Sequence, residues 1–267
     1  MTIATRNNVH MLGSQGPVLM YAHGFGCSQR MWSRITPAFA GTHRQVLFDY
    51  VGSGQSELAS FDARRYASLD GYVQDVLEVC DALDLTSGVT FVGHSVSCSV
   101  GLLASIARPA LFERLILVGP SPCFMNDPPH YLGGFEREDL EGLLSLMDQN
   151  YLGWANHLAP LVAGADGGVE VAAELSDSFC STEPAVARTF ARTTFFADNR
   201  ADLPNVSRPS LILQHSNDAL APRAVGDYLH ANLRDSTLKV LEVAGHCSHM
   251  THPALVIDAM RGFMRQA

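Results

Sequence analysis

Short apolar runs alternate with amphipathic stretches through the first 119 positions of the chain. Residues 18–23 (VLMYAH), 45–50 (QVLFDY), 89–94 (VTFVGH) and 114–119 (RLILVG) are near-continuously apolar over strand length. Strands covered on both faces of a parallel sheet have that signature. Between them, residues 69–85 (LDGYVQDVLEVCDALDL) carry apolar side chains at helical spacing. Residues 96–107 do the same until Pro109 stops the helix. Strands alternating with helices predict an α/β fold with a mainly parallel central sheet flanked by helices.

From residue 120 to 206 the strand pattern disappears. Four helix-like stretches replace it, at 136–148, 150–163, 168–180 and 183–197, the last with Pro184 in its first turn. The alternation returns with a strand at 210–215, a helix at 222–233, a strand at 237–243 and a closing helix at 253–265. The expected organisation is a core built from residues 1–119 and 207–267, with 120–206 inserted as a helical lid. Because the insertion follows the strand ending at Gly119, the lid is expected at the carboxyl edge, where open α/β sheets bind ligands.

Composition narrows the function classes. Hydrophobic residues make up 47% and charged residues 17% of 267, enough apolar material for a large buried core. Against 27 acidic residues stand 18 basic ones, a net charge of −9 that repels phosphate backbones and anionic lipid, so neither nucleic acid nor a membrane is expected as partner. Residues 1–10 contain no apolar stretch of signal-peptide length, and a cytoplasmic location is expected. The six cysteines form no CxxC pair and are read as small buried hydrophobes rather than as disulfides or zinc ligands.

The candidate chemistry sits at the strand–helix junction near residue 95. In Thr90-Phe-Val-Gly-His-Ser-Val-Ser-Cys-Ser99 a strand runs through a sharp turn into a helix, and Gly93-x-Ser95-x-Ser97 fits a nucleophile elbow. Small residues at 93 and 97 let the helix approach the strand. An elbow of this kind ordinarily ends in glycine, where this chain has Ser97. An isolated serine hydroxyl needs a base. Of 11 histidines, His246 is favoured because it follows the last expected strand. Asp218 follows the strand before it, and the order Ser, Asp, His along the chain is the one this fold uses. Oxyanion donors are expected from the backbone N–H of Val96 and, as a candidate, of Phe25 in His23-Gly-Phe-Gly26. His94 is expected to point away from its neighbour Ser95, and Asp49 to form a turn. His246, His249 and His252 are three residues apart but lack a completing ligand, so no metal is expected. Dehalogenases and epoxide hydrolases of this fold need Asp at position 95 and are set aside. A cofactor-free haloperoxidase or a carbon–carbon bond hydrolase remains open.

Gly93-His-Ser-Val-Ser97 together with His23-Gly-Phe-Gly-Cys-Ser-Gln29 resembles the RsbQ group of α/β hydrolases, which includes a bacterial stress-signalling regulator and the plant karrikin and strigolactone receptors. The likeness extends to Asp49-Tyr-Val-Gly-Ser-Gly54, Ala104-Ser-Ile-Ala-Arg-Pro109, Gly133-Gly-Phe-Glu136 and Asn150-Tyr-Leu-Gly-Trp-Ala155, and so covers nearly the whole chain. It implies an α/β-hydrolase fold with a V-shaped four-helix lid, a Ser95–His246–Asp218 triad, oxyanion donors at Phe25 and Val96, and no cofactor. It further implies a pocket for a small apolar ester or lactone, walled by Phe25, Phe124, Trp154, Leu158, Phe179, Phe195 and Ala219. Leu158 and Ala219-Leu-Ala221 depart from the plant receptors, so their ligands do not carry over. Two roles follow: a serine hydrolase working through an acyl-enzyme, or a ligand-sensing regulator with slow hydrolysis and a signalling protein partner.

Overall fold

The computed structural model describes residues 1–265. Seven strands form one sheet: β1 (His10–Leu12), β2 (Val18–Ala22), β3 (Arg44–Leu47), β4 (Val89–His94), β5 (Phe112–Val118), β6 (Ser210–Asn217) and β7 (Ser236–Ala244). Their order is β1-β3-β2-β4-β5-β6-β7, and every pairing except the antiparallel β1–β3 is parallel. β2 and β4 are buried at every position, which explains their mostly apolar sequences. Alternation still assigns faces: Leu19 and Tyr21 join one apolar cluster, while Val18, Met20 and Ala22 join the other. The edge strand β1 carries no strand signature because it is only three residues long and exposed throughout. The chain runs from β2 outward to β3 and returns past β2 to β4. The loops after β2 and β4 therefore flank the crevice where strand order reverses.

Among the described residues, ten α-helices accompany the sheet: α1 (Ile3–Arg6), α2 (Leu69–Ala82), α3 (Val96–Ala107), α4 (Arg137–Gln149), α5 (Tyr151–Ala163), α6 (Gly168–Ser181), α7 (Pro184–Phe195), α8 (Arg223–Asn232), α9 (Ser248–Thr251) and α10 (Pro253–Met264). Between β5 and β6 lie α4 to α7, three of them started by side-chain caps. Glu136 and Asp139 form a reciprocal capping box on α4. Asn150 Oδ1 accepts the Gly153 N–H at 2.9 Å at the start of α5. Glu183 accepts two N–H groups of α7, whose first residue is Pro184. α4 packs on α5 and α7, and α5 packs on α6. Their inward residues, among them Leu144, Trp154, Leu158, Leu175 and Phe195, share one apolar cluster with β2, β4 and β6. No helix among the described residues is long and apolar enough to cross a membrane.

Five of the six cysteines are buried, Cys180 is half-buried, and all are free thiols. Asp49 forms the turn expected of it: its carboxylate accepts N–H groups from Gln29 at 2.8 Å, Gln55 at 3.0 Å and the Asn8 amide at 2.8 Å. Histidines also serve as packing groups. The His249 ring lies between Trp32 (4.6 Å) and His94 (4.5 Å), and neither of its nitrogens has a hydrogen-bond partner.

Burial, reinforced by neighbouring imidazoles, holds His94 and His249 well below the ordinary histidine value. Below pH ~6.5 the unfolded chain therefore binds protons that the folded chain refuses. Stability is full above that pH and falls as pH drops towards 5, by up to about 1.4 kcal/mol per pH unit for each excluded proton. Urea unfolding between pH 7 and 5 is expected to show a shallower decline for His249→Phe than for the wild type. Parallel slopes would contradict this account.

Candidate active site

The junction of β4 and α3 bends sharply at Ser95, which holds φ 56° and ψ −123°, outside the region that non-glycine residues ordinarily occupy. Two contacts fix it. The Ser95 N–H donates to Val118 O of β5 at 2.9 Å, and the Cys98 N–H to Ser95 O at 2.9 Å. Helix and strand approach so closely that a Cβ at Gly93 would stand 2.7 Å from the Ser97 carbonyl oxygen. Ser97, at the position where glycine is usual, supplies a hydroxyl with its own task. Its Oγ donates to His23 O, and the Tyr50 hydroxyl reaches it at 2.9 Å. His23 accepts the Tyr50 N–H on Nε2 at 3.2 Å, so its Nδ1–H donates to Gly24 O at 2.8 Å. Ser97 thus ties the Gly24–Phe25 loop to the elbow. Neither the Val96 N–H, first in α3, nor the Phe25 N–H has a protein partner among the described residues.

Asp218 follows β6 and His246 follows β7, and the parallel pairing of those strands brings the two loops together. His246 Nδ1 lies 2.7 Å from Asp218 Oδ2, and His246 Nε2 is buried with no hydrogen-bond partner. Since the carboxylate only accepts, Nδ1 carries the proton and Nε2 is the basic nitrogen. Ser95, His246 and His94 border one cavity. No hydrogen bond joins Ser95 to His246 in this state; such bonds often tighten only when substrate arrives.

A second histidine, which the sequence pattern did not single out, completes the surroundings of the acid. His215 Nδ1 donates to Asp218 Oδ2 at 3.0 Å, and its Nε2 meets Ser248 Oγ at 2.8 Å. Asp218 Oδ1 accepts the N–H groups of Leu220 (2.9 Å) and Ala221 (3.2 Å). Burial would raise the Asp218 carboxyl, but electrostatic attraction to His246 and the hydrogen bonds from both imidazoles outweigh it, leaving the carboxyl below its ordinary value. Gly119 (φ 58°) permits this assembly: a Cβ there would meet both imidazoles at 3.2 Å. His215, Asp218 and His246 are also the set of donors, among the described residues, close enough to share a metal ion. Both Nδ1 atoms are instead engaged with the carboxylate.

The cavity is walled by Phe25, Phe124, Leu158, Phe179 and Phe195, with Cys27, Val162, Thr194, Leu220 and Cys247 completing it. Two residues of the expected wall lie elsewhere. Ala219 is exposed, because the Asp218 turn directs it outward and carries Leu220 inward. Trp154 is buried one layer back, its ring 5.9 Å from those of Phe25 and Phe179. His94, expected to point away from Ser95, borders the same cavity and donates from Nε2 to His246 O at 3.0 Å. The cavity volume is about 20 Å³, against roughly 300–1,000 Å³ for sites that hold organic ligands. A separate open cleft of about 1200 Å³, lined by Gln29, Arg34, Glu174 and Asp177, does not contain Ser95.

Residues 19–259 match the alpha/beta hydrolase family. The chain is 40% identical to a strigolactone esterase of Pisum sativum over 248 residues, covering 92% of each protein. It is 38% identical to a karrikin insensitive 2 receptor of Petunia hybrida over 255 residues, covering 95% of this chain and 94% of the receptor. A solved hydrolase from Oleispira antarctica superposes with a TM-score of 0.96 at 47% identity, covering 99% of this chain and 97% of that one. The chain belongs to the α/β hydrolase family, within the group that holds the strigolactone esterases and karrikin receptors.

Proposed function

We propose that the protein is a serine hydrolase that cleaves small apolar esters or lactones through Ser95, His246 and Asp218, by way of an acyl-enzyme. The observation that carries this reading is the His246 ring. Its Nδ1–H is committed to Asp218, and its basic Nε2 is buried and unpartnered beside the cavity that Ser95 borders. As Ser95 Oγ attacks the carbonyl carbon, its proton passes to His246 Nε2, and the Asp218 carboxylate stabilises the imidazolium. The carbonyl oxygen takes its negative charge to the N–H groups of Phe25 and Val96, the latter aided by the positive end of α3. His246 then returns the proton to the departing alcohol, and a water activated by the same nitrogen releases the acid. We assign residues 120–206 the role of a lid that must move to admit substrate, because the closed cavity is too small for one. The free thiols fit a reducing, cytoplasmic setting.

A second reading, a ligand-sensing regulator with a protein partner, is favoured by one specific observation. The His246 N–H donates to Val162 O of α5 at 2.8 Å, and the Ala244 N–H to the Asp166 carboxylate at 2.7 Å, so lid and histidine loop are joined by one backbone and one side-chain hydrogen bond. The relatives' names, esterase in one case and receptor in the other, support both roles.

Ser95→Ala is expected to lower p-nitrophenyl acetate hydrolysis by at least ~10³-fold and to abolish fluorophosphonate labelling with circular dichroism unchanged. Labelling at the wild-type rate would sink the assignment. Because the walls close tightly, kcat/KM should fall about tenfold or more from the acetate to the octanoate ester, a loss of ~1.4 kcal/mol in transition-state stabilisation. Equal values would mean the closed cavity does not limit the acyl chain. Many turnovers per minute on a small ester identify an enzyme; one turnover followed by capture of a partner identifies a receptor.

A further inference from the structure

Three polar atoms on residues of the cavity wall are buried without a hydrogen-bond partner: His246 Nε2, His94 Nδ1 and Thr194 Oγ1. The first is the base of the proposed reaction. The second is covered by the loop after β2, where a Cβ at Gly24 would stand 2.5 Å from it. The third has neither explanation. Thr194 sits in the last turn of α7, at 2% exposure, among side chains that are almost entirely apolar.

Its neighbours show what a threonine of this helix ordinarily does. Thr189 Oγ1 donates to Ala185 O one turn back at 3.0 Å, and Thr193 Oγ1 donates to Tyr66 O of the core at 2.8 Å. Thr194 makes no such bond. An orphaned buried hydroxyl costs stability that an isosteric valine would not, so its presence in an apolar wall calls for an occupant that satisfies it. Rotation about χ1 exchanges its methyl and hydroxyl groups at the wall without moving the helix.

We infer that Thr194 is a specificity-determining residue whose hydroxyl donates a hydrogen bond to a second acceptor oxygen of the substrate, so that the preferred substrates are esters or lactones bearing an ether or carbonyl oxygen besides the scissile carbonyl. This rests on the hydrolase reading above. The wall itself is the argument. Ser95 and His246 are consumed by the reaction, and Phe25, Phe124, Leu158, Phe179 and Phe195 offer no donor. His94 already donates to His246 O, and the Cys27 and Cys247 thiols are weak donors, so Thr194 is the strong side-chain donor left to tell a substrate with a further oxygen from one without.

The test uses a matched pair, p-nitrophenyl methoxyacetate and p-nitrophenyl butyrate, which differ by one oxygen in place of a methylene. The quantity read is the ratio of their kcat/KM values in each variant, which cancels their difference in intrinsic reactivity between variants. The ratio in the wild type is expected to exceed that in Thr194→Val by roughly five- to tenfold, with Thr194→Ser restoring it. Thr194→Val is expected to melt no lower than the wild type, since it removes an unsatisfied hydroxyl. Equal ratios in wild type and Thr194→Val, with both activities lost in Ser95→Ala, would overturn the role of Thr194 and leave the hydrolase standing. A melting temperature lowered by several degrees in Thr194→Val would overturn it too, by revealing a structural bond. Hydrolysis that persists in Ser95→Ala would overturn the hydrolase reading itself.

Discussion

The sharp backbone turn at Ser95 is the constraint on which the other features depend. A non-glycine residue at φ 56° costs of order 1–3 kcal/mol and persists only where its surroundings leave no alternative. Here β4, buried at every position, meets α3 across a gap that admits no Cβ at residue 93, and Val118 O holds the Ser95 amide. The turn lifts the hydroxyl above the carboxyl edge of the sheet and leaves the Val96 N–H free at the start of a helix. It also positions Ser97, whose hydroxyl reaches the His23 carbonyl and so sets the loop that carries the Phe25 N–H. One backbone conformation thereby places the proposed nucleophile and both proposed oxyanion donors.

The opposite side of the cavity is organised around Asp218. Two imidazoles and two backbone N–H groups converge on its carboxylate, and only the His246 ring leaves its far nitrogen bare. The histidine loop is in turn bonded to the lid through Val162 and Asp166, and Gly164 and Gly245 pack so closely that a Cβ on either would meet the other's backbone. If the inserted helices act as the proposed lid, movement of α5 to admit a ligand acts on His246 as well. In an enzyme that coupling aligns the base as the lid closes; in a receptor it reports the state of the pocket on the outer surface of the lid. Both roles use the same bonds, which is why turnover rather than geometry separates them.

Much of this architecture is written in local pattern. Mostly apolar runs mark β2, β4 and β5 because burial on both faces admits few polar residues, and cap chemistry at Glu136, Asn150 and Glu183 marks three of the inserted helices. β1 escaped because an edge strand of only three residues, exposed throughout, carries no strand signature. At the site, residues carried by strand ends were legible: Ser95 and Asp218 follow largely buried strands, and His246 follows the half-exposed last strand. The cavity wall was less so, since it depends on packing between distant helices. Trp154 stands behind Phe25 rather than beside the cavity, the Asp218 turn exchanges Leu220 for Ala219, and Thr194 differs from Thr193 only in the direction its helix presents it. His215 carried a usable sign, a histidine ending a buried strand three residues before the acid, but its link to Ser248 is visible only in three dimensions.

The most direct test is the structure of the protein after reaction with a small phosphonylating agent. The account predicts phosphorus bonded to Ser95 Oγ, a phosphonyl oxygen about 2.7–3.1 Å from the backbone nitrogens of both Phe25 and Val96, and His246 Nε2 turned towards Ser95 Oγ or the leaving-group position. An adduct on any other side chain, or a phosphonyl oxygen directed away from those two N–H groups, would contradict it.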